Sequence, residues 1–320
     1  KAKLKNIIAK EKGVDALYNL SNKFEDELGS GLTIVEAANR LNFKIRKIPA
    51  ISIEGRNTAN KNIINISPEI IQVAFNTDDC DIPVIWSVLW NGRMAPNEQI
   101  FKTARSQGKD VLVLEVGGLI RGTTWKVGLN GINGEANFGP KGNNFHRCAK
   151  LGISLDPWNI FGEDIIICGQ HDKSHQWRDM PPMAKWLDDI ISQIRRISSR
   201  RIIWRPHPRC PVGGIEHEFE NVVREQPIKI KGSYDDFDFK TDNAFAVINW
   251  SSNPATQAMI EGVPVFTGPH SLAWPVANQN LDTITLPIRP DRTQWFNDLA
   301  YTEWTIDEIS EGLPLKHLTV

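Results

Sequence analysis

The sequence predicts an α/β protein in which two Rossmann-like domains face a cleft. Short apolar runs alternate with segments of helical periodicity from residue 81 to residue 290, and this alternation is typical of sheets covered by helices. A strand, a helix and a second strand follow one another between Phe245 and Thr267, as in a right-handed crossover unit. A chain of 320 residues is long enough for two such domains.

The composition narrows the class of protein. The formal net charge of -1 and the isoelectric point near 6.7 mean that a polyanionic partner would need a local basic patch. No apolar run approaches the length of a membrane span, and the basic segment Lys1–Lys12 lacks the apolar centre of a signal peptide. We therefore expect a cytoplasmic protein whose four cysteines are reduced and mostly buried.

The first eighty residues give the weakest pattern. Helical spacing and short β-prone runs predict helices at Ala16–Leu28 and Thr33–Leu41 and strands at Lys44–Ile53 and Asn62–Ile66. The lysines of the first twelve residues form either a solvated helix face or a nucleic-acid contact.

From residue 81 onwards the elements are better marked. The pattern predicts a strand at Val84–Leu89, a helix at Pro96–Gln107 and a strand at Val111–Glu115. Trp90 follows the first of these strands, and Glu115 ends the second, where open α/β sheets place their ligands. A glycine-dense stretch then begins with Gly117 and Gly118. It either lets a polar ligand approach the backbone or forms a mobile loop.

The second half begins with an apolar strand that ends at Cys168 and is followed by Gln170. An amphipathic helix spans Met183–Ile197, and a further strand at Arg201–Trp204 leads into the sequence Arg205-Pro206-His207-Pro208-Arg209. The two prolines fix the backbone just past the strand and present His207 between the guanidinium groups of Arg205 and Arg209. Such a segment suits an anion.

A zinc site is the alternative for part of this region. Cys168, His171 and His175 have a spacing that could suit zinc, with Cys210 or His207 as the fourth ligand. Cys168 ends an apolar strand, however, and is expected to face the core. We therefore expect no metal.

The polar turn Ser251-Ser252-Asn253 lies between the strand Phe245–Ile248 and a helix that ends at Gly262. Asn253 suits the N-cap of this helix, Pro254 its first turn and Gly262 a left-handed C-terminal position. The turn either merely caps the helix or uses its amides, hydroxyls and dipole to bind an anion such as a diphosphate. After the next strand, Val263–Thr267, Gly268 and His270 reach the same edge of the sheet.

The order of Gln170, the sequence RPHPR and the sequence SSN…QAMIEGVPV resembles the nucleotide-binding half of GT-B type glycosyltransferases. It is similar to the capsule-polysaccharide glycosyltransferases and to bacteriophage glycosyltransferases associated with DNA hypermodification. The resemblance covers about half of the chain, and the tail YTEWTIDEISEG looks like the phage members. It implies an acceptor-side domain at 1–157, a nucleotide-sugar-binding domain at 158–290, and a helical segment at 291–320 that packs back on the first domain.

The resemblance also implies roles for individual residues. The donor, expected to be a UDP-sugar, would be bound by Arg205, His207, Arg209, Ser251, Ser252, Asn253, Gln257, Gly268, His270 and Gln170. Gln257 stands where related enzymes have a carboxylate that holds the ribose, and Glu261 next to the helix end is expected to face solvent instead. LEVGGLIRG looks like the segment that lines the cleft on the acceptor side, with Gly117, Gly118, Arg121 and Trp90. Val116 stands where the family has a second acidic residue.

The expected reaction is transfer of the sugar to a hydroxyl group, with Glu115 as general base, His207 at the leaving group, and no cofactor or metal. Glu115 could instead form a structural ion pair with Arg121. The phage resemblance favours a 5-hydroxymethylated pyrimidine in double-stranded DNA as acceptor, and a capsule-type saccharide is the alternative. A nucleotide-sugar epimerase and a non-catalytic nucleotide-sugar binding protein also remain possible. The sequence does not define the oligomeric state.

Overall fold

The computed structural model describes residues 23, 27, 32, 34–44, 56, 82–142, 145–210, 212–231 and 236–319. The chain divides into two compact units, Lys1–Asp81 and Ile82–Val320. In the first unit, helix α1 spans Ile34–Arg40, which confirms the helix expected at Thr33–Leu41. The other elements expected before residue 81 lie almost entirely outside the described residues.

The second unit alternates strands and helices, as the sequence predicted. Its strands are β1 Val84–Trp86, β2 Leu112–Val116, β3 Thr124–Leu129, β4 Asp164–Cys168, β5 Ile202–Arg205, β6 Val222–Arg224, β7 Ala244–Ile248, β8 Val265–Phe266 and β9 Glu303–Thr305. Its α-helices are α2 Ala95–Ser106, α3 His146–Leu151, α4 Met183–Arg195, α5 Asn253–Ile260, α6 Thr293–Leu299, α7 Ile306–Ser310 and α8 Leu313–Leu318. Within the described residues no helix is both long and apolar enough to cross a membrane.

Five parallel strands form one sheet in the order β6-β5-β4-β7-β8. This is the order of a doubly wound sheet, because the chain moves outwards from β4 in one direction and then returns to its other side at β7. Side chains alternate between two cores: Ile165 and Ile167 pack with α4, whereas Ile166 packs with α5 and α6. Strands β4, β5, β7 and β8 are therefore buried on both faces, which explains why they are continuous apolar runs, and the edge strand β6 is partly exposed.

The other sheet is mixed, in the order β1-β2-β3-β9. Strands β1 and β2 are parallel, and β3 is antiparallel to both β2 and β9. The glycine-dense stretch is thus not simply a loop, because it contains the central strand β3. Trp304, which was expected in a helical segment, lies in β9. Through β9 and α8 the C-terminal segment returns to the mixed sheet.

Several helix ends follow the expected chemistry. Gly108 after α2 and Gly262 after α5 have φ angles of 73° and 82°, the left-handed conformation that glycine adopts without a steric cost. The N-cap of α5 differs from the prediction: Ser252 is the N-cap, and Asn253 is the first helical residue. The boundary expected near residues 156–158 lies inside the second unit, between the strands of its two sheets.

Candidate functional site

A cavity of about 620 Å³ lies at the carboxyl ends of the parallel strands. Residues that follow β4, β5 and β7 reach it, and the strand order reverses between β4 and β7. Doubly wound sheets bind their ligands at this point of reversal. Of the residues expected at the site, the lining contains Gly118, Arg121, Arg205, His207, Arg209, Ser252, Asn253 and Gln257.

His207 is held as a neutral hydrogen-bond donor. Burial, together with the smaller effects of the neighbouring His171, Arg209 and Arg121, lowers its pKa to about 3. Its Nδ1 accepts a hydrogen bond from the backbone N–H of Arg209 at 3.2 Å, so the proton of the neutral ring is on Nε2. The ring of His171 packs edge-on against it, with 5.6 Å between the ring centres. An imidazole in this state can donate to a phosphate oxygen at any pH near neutral.

Arg205 differs from the free cation that its sequence context suggested. Its guanidinium group is buried and donates to the carboxylate of Glu225 and the backbone carbonyl of Asp238. The Asp238 carboxylate lies 3.3 Å from the same group. Arg205 therefore lines the cavity but is already neutralised by two acids, and it anchors the segment around Asp238 over the cavity. Arg121 similarly lies 3.3 Å from Asp236.

The amino end of helix α5 supplies the polar wall of the cavity. Ser252 has extended backbone angles at the N-cap, and its Oγ accepts from the Asn249 side-chain amide at 3.1 Å. Asn253 follows as the first residue of the helix, where the helix dipole is positive. Ser251 lies behind this wall and is buried, so the three polar residues of the turn do not share one environment.

Ser251 belongs to a buried network of side-chain amides. Its backbone N–H and its hydroxyl lie 3.0 and 3.1 Å from Gln170 Oε1, and the hydroxyl also lies 3.0 Å from Gln176 Oε1. Asn133 Nδ2 donates to Gln176 Oε1 and to the Ser251 carbonyl, both at 2.9 Å. Gln170 and Ser251 therefore fix the turn after β7 from behind, and neither lines the cavity.

The buried Lys126 of β3 connects this network to the cavity wall. Its Nζ lies 2.5 Å from both Asn133 Oδ1 and Asn253 Oδ1, and only 3% of the residue is exposed. Burial lowers its pKa, whereas the charges of Glu303 and Glu115 raise it. Sequence reasoning missed Lys126 because a lysine in a glycine-rich segment is typical of a solvated loop.

Glu115, Lys126 and Glu303 are cross-strand neighbours on β2, β3 and β9. We call these three residues the charge row. Neighbouring side chains in this direction share one face of a sheet, and contact between Lys126 and Asn253 shows that this face is turned towards helix α5. The row alternates acid, base and acid, so each neighbouring pair attracts.

Glu303 fixes the glycine loop that lines the cavity. Its carboxylate accepts from the backbone N–H groups of Gly118 and Leu119 at 2.7 and 3.0 Å, and from the Thr124 hydroxyl at 2.6 Å. A Cβ atom at Gly117 would lie 2.5 Å from Glu303 Oε2 and 2.1 Å from the Thr124 carbonyl oxygen. The glycine is therefore needed for close approach to an acid that the chain supplies from its C-terminal segment.

Glu115 does not line the cavity. Its Oε2 accepts from the Ser87 hydroxyl at 2.6 Å, and its Oε1 accepts from the Val116 N–H at 2.8 Å. The alternative of an ion pair with Arg121 is not what the structure shows, because Arg121 faces Asp236. Glu115 is thus held in the charge row behind the cavity wall.

Gln257 and Glu261 are both in the lining, one helical turn apart. Gln257 Nε2 donates to Glu261 Oε1 at 3.0 Å, and the Thr241 hydroxyl donates to the other carboxylate oxygen. The expectation that Glu261 faces solvent is wrong, because Glu261 follows Gln257 by four residues and therefore shares the helix face that lines the cavity. A carboxylate is therefore present beside Gln257 after all.

Three further residues that were expected at the site also lie outside the cavity lining. Trp90 packs against Phe101 and His175, with ring centres 5.7 and 5.6 Å away. Gly268 lies under Trp250, where a Cβ atom would be 2.2 Å from the indole ring. His270 is 3.4 Å from Glu135 and is also absent from the lining. Gly268 and Trp90 are packing residues here, and the segment after β8 contacts the end of β7 but does not line the cavity.

Comparisons with known proteins do not identify a family for this chain. A scan against models of protein families found no match, and a search among curated proteins found none either. Among solved structures, the chain is similar to KpsC of Thermosulfurimonas dismutans, described as a beta Kdo 2,7 transferase. The two are 15% identical with a TM-score of 0.43, over 82% of this chain and 95% of that chain. At this distance the activity of the present chain must be argued from its own residues.

Proposed function

We propose that the protein is a GT-B type glycosyltransferase that moves a sugar from a nucleotide-sugar, expected to be a UDP-sugar, to a hydroxyl acceptor. The observation that supports this most directly is the single cavity wall shared by His207 and the amino end of α5, at the point where the parallel sheet reverses its strand order. The mixed sheet would carry the acceptor and the parallel sheet the donor.

The chemistry required at the donor site is stabilisation of a leaving phosphate. A neutral His207 donates from Nε2, Ser252 offers a hydroxyl, and the helix dipole and the exposed Arg209 add positive potential. These groups need no rearrangement as charge develops, which favours the transition state over the bound substrate. Gln257 and Glu261 would hold the ribose hydroxyls by hydrogen bonds.

Two candidate acceptors are proposed. The phage resemblance favours a 5-hydroxymethylated pyrimidine in DNA. The lining, however, carries four basic residues, Arg121, Arg205, Arg209 and Lys240, and three acidic ones, Asp236, Asp238 and Glu261. Arg205 and Arg121 face acids, so the cavity itself contributes little net positive charge. Duplex DNA would need a basic track on the acceptor side, and a saccharide is the second candidate.

The experiment is a mass spectrum of each acceptor after incubation with a panel of nucleotide-sugars. We expect a mass increase of one sugar on hydroxymethylated DNA or on a saccharide, together with release of the nucleotide. Duplex DNA as substrate predicts a steep loss of acceptor affinity with salt, whereas a neutral saccharide predicts almost none. A new sugar nucleotide formed without acceptor would instead identify an epimerase.

A matched pair of histidine variants tests the site itself. His207→Ala should abolish transfer, whereas His217→Ala should not, because the His217 side chain is 83% exposed and outside the cavity lining. Binding of the nucleotide-sugar without release of its nucleotide in any reaction would make the protein a non-catalytic binder.

A further inference from the structure

The Asn253 side chain is held by a group that does not itself line the cavity. Lys126 Nζ lies 2.5 Å from Asn253 Oδ1, and Asn253 lies in the cavity wall at the amino end of α5. The opposite edge of the amide is less constrained, since Nδ2 lies 3.4 Å from the Gly117 carbonyl oxygen. One side of this amide is therefore set from the mixed sheet.

The orientation of the amide follows from donor and acceptor chemistry. Lysine has only donors, so only the oxygen of Asn253 can face it. A reversed amide would place its N–H₂ group against the amine of Lys126, so two donors would face each other and the buried Lys126 would keep Asn133 Oδ1 as acceptor but lose Asn253. The same argument fixes Asn133, whose Oδ1 also faces Lys126 and whose Nδ2 donates to Gln176 and to the Ser251 carbonyl.

We propose that Lys126 is a positioning residue that turns the N–H₂ edge of Asn253 towards the cavity, where it donates to a phosphate oxygen of the nucleotide. The inference rests on the proposed function, because it assumes that the anion at the end of α5 is a nucleotide phosphate. An amide nitrogen carries two hydrogens, so the contact with Gly117 still leaves one for the ligand.

This arrangement makes Asn253 differ from an ordinary helix cap. A capping side chain presents an oxygen to the backbone N–H groups of its own helix, and an oxygen in the cavity would repel a phosphate. Ser252, one residue earlier, occupies the N-cap position without a side-chain capping hydrogen bond, and Asn253 is the first helical residue, so Asn253 does not stand where a capping side chain would. Its oxygen is bound by Lys126, and a donor remains on the ligand side.

The substitution Asn253→Asp separates positioning from a merely structural role. Asp has the same shape and would form an ion pair with Lys126, so the melting temperature should stay the same or rise. The cavity would meanwhile lose a donor and gain a negative charge, so the affinity for UDP or CMP should fall at least tenfold. If Asn253 only supported the fold, its substitution would lower the affinity for the nucleotide only when it also lowered the melting temperature.

The matched control is Asn280→Asp. Asn280 is exposed and caps a short 3-10 helix by accepting a hydrogen bond from the Asp282 N–H. Its replacement by Asp changes the net charge by the same amount as Asn253→Asp. Its side chain is outside the cavity lining, and a carboxylate accepts as an amide oxygen does. We expect no change in affinity and none in melting temperature.

Calorimetric titration of the full chain with UDP, CMP and inorganic diphosphate distinguishes the possible failures. A wild-type protein that binds none of the three contradicts the proposed function. A wild-type protein that binds, with Asn253→Asp binding equally well, overturns the positioning role and leaves the function intact. A drop of several degrees in the melting temperature of Asn253→Asp also overturns it, because Lys126 would then not face position 253.

A second variant, Lys126→Met, tests the other partner. Without the amine, the Asn253 amide can turn its oxygen to the cavity, so the affinity for the same probes should fall although Lys126 touches no ligand. If Lys126→Met folds and keeps the wild-type affinity, Lys126 does not position Asn253. The test on Asn253→Asp stands independently should Lys126→Met fail to fold.

Discussion

The buried Arg147 is expected to be the main attachment of the C-terminal segment. Its guanidinium group donates to both carboxylate oxygens of Glu308 at 3.0 Å and to the backbone carbonyls of Ala300 and Glu303 at 2.5 and 2.6 Å. It also stacks on Trp304, with its central carbon 3.9 Å from the ring centre. Replacing Arg147 by Met therefore removes every one of these contacts at once.

Breaking a buried ion pair from one side costs about 3–5 kcal/mol, because the other charge stays buried without its partner. Here Lys150 still lies 2.8 Å from Glu308, so we expect the lower end, about 3 kcal/mol for Arg147→Met. For a unit of this size that corresponds to a fall in melting temperature of roughly 6–12 °C. The assay is urea unfolding followed by tryptophan fluorescence, in which the midpoint should fall while the slope is kept.

The pH dependence provides an independent measurement on the same pair. Burial would raise the pKa of Glu308, but hydrogen bonds from Arg147 and Lys150 outweigh it and lower the pKa to about 2. Because the folded pKa lies below the unfolded one, this stabilisation is present above pH 4.5 and is lost as the pH falls towards 2. In Glu308→Gln the unfolding free energy should lose this component of its pH dependence.

The double variant Arg147→Met with Glu308→Leu is the control. If the penalty in Arg147→Met comes from an uncompensated buried acid, removing the acid as well should recover much of the stability. A loss below about 1 kcal/mol in Arg147→Met, typical of an exposed pair, would refute the role assigned to this cluster. An unchanged penalty in the double variant would assign it to lost packing instead.

Three further predictions concern the cavity. His207→Ala should weaken UDP binding by about tenfold or more through loss of one hydrogen bond to a charged group. In the wild type, UDP affinity should show no titration of His207 from pH 5 to 8, because the pKa of His207 is about 3. Because Glu115 does not line the cavity, Glu115→Gln should keep turnover and UDP affinity close to those of the wild type. A fall in turnover of about 100-fold or more in a folded variant would instead show that Glu115 is the base. Gly118→Ala should displace Asn253, because Asn253 Cγ would lie 2.9 Å from the new Cβ, and calorimetry should show weaker UDP binding. The control is Gly213→Ala, whose Cβ would meet no atom within 4 Å and which should bind UDP normally.

Strands β4, β5, β7 and β8 of the parallel sheet could be predicted because each is buried on both faces and therefore reads as an apolar run, whereas the partly exposed edge strand β6 could not. The polar turns after β5 and β7 come directly after such runs in the sequence. They were expected to meet, and His207 and Ser252 do line one cavity. The side-chain partners could not be predicted in this way. Arg205 is neutralised by Glu225 and Asp238, which lie 20 and 33 residues further along the chain, and no local pattern indicates that pairing.

Strand β3 was missed for a physical reason. Its buried face carries Lys126 and Gly128 in place of apolar residues, so the alternation that identifies a strand is interrupted. Gly128 is required because a Cβ atom there would lie 2.9 Å from both Ala136 and Phe138. Lys126 is tolerated because Asn133 and Asn253 accept its hydrogen bonds and because Glu115 and Glu303 flank it, and all four of these residues lie outside β3.

The charge row explains why an acid at the end of β2 need not act as a base in the way the sequence suggests. Both carboxylate oxygens of Glu115 accept hydrogen bonds, and the residue is the cross-strand neighbour of Lys126, so its side chain is already engaged within the mixed sheet. A general base must lie within hydrogen-bond reach of the proton that it removes from the acceptor, whereas Glu115 is outside the cavity lining. With Val116 in place of a second acid, transfer would depend more on stabilising the leaving phosphate than on activating the acceptor. The donor side, with His207, Ser252 and Asn253, is therefore where substitutions should affect the rate most strongly.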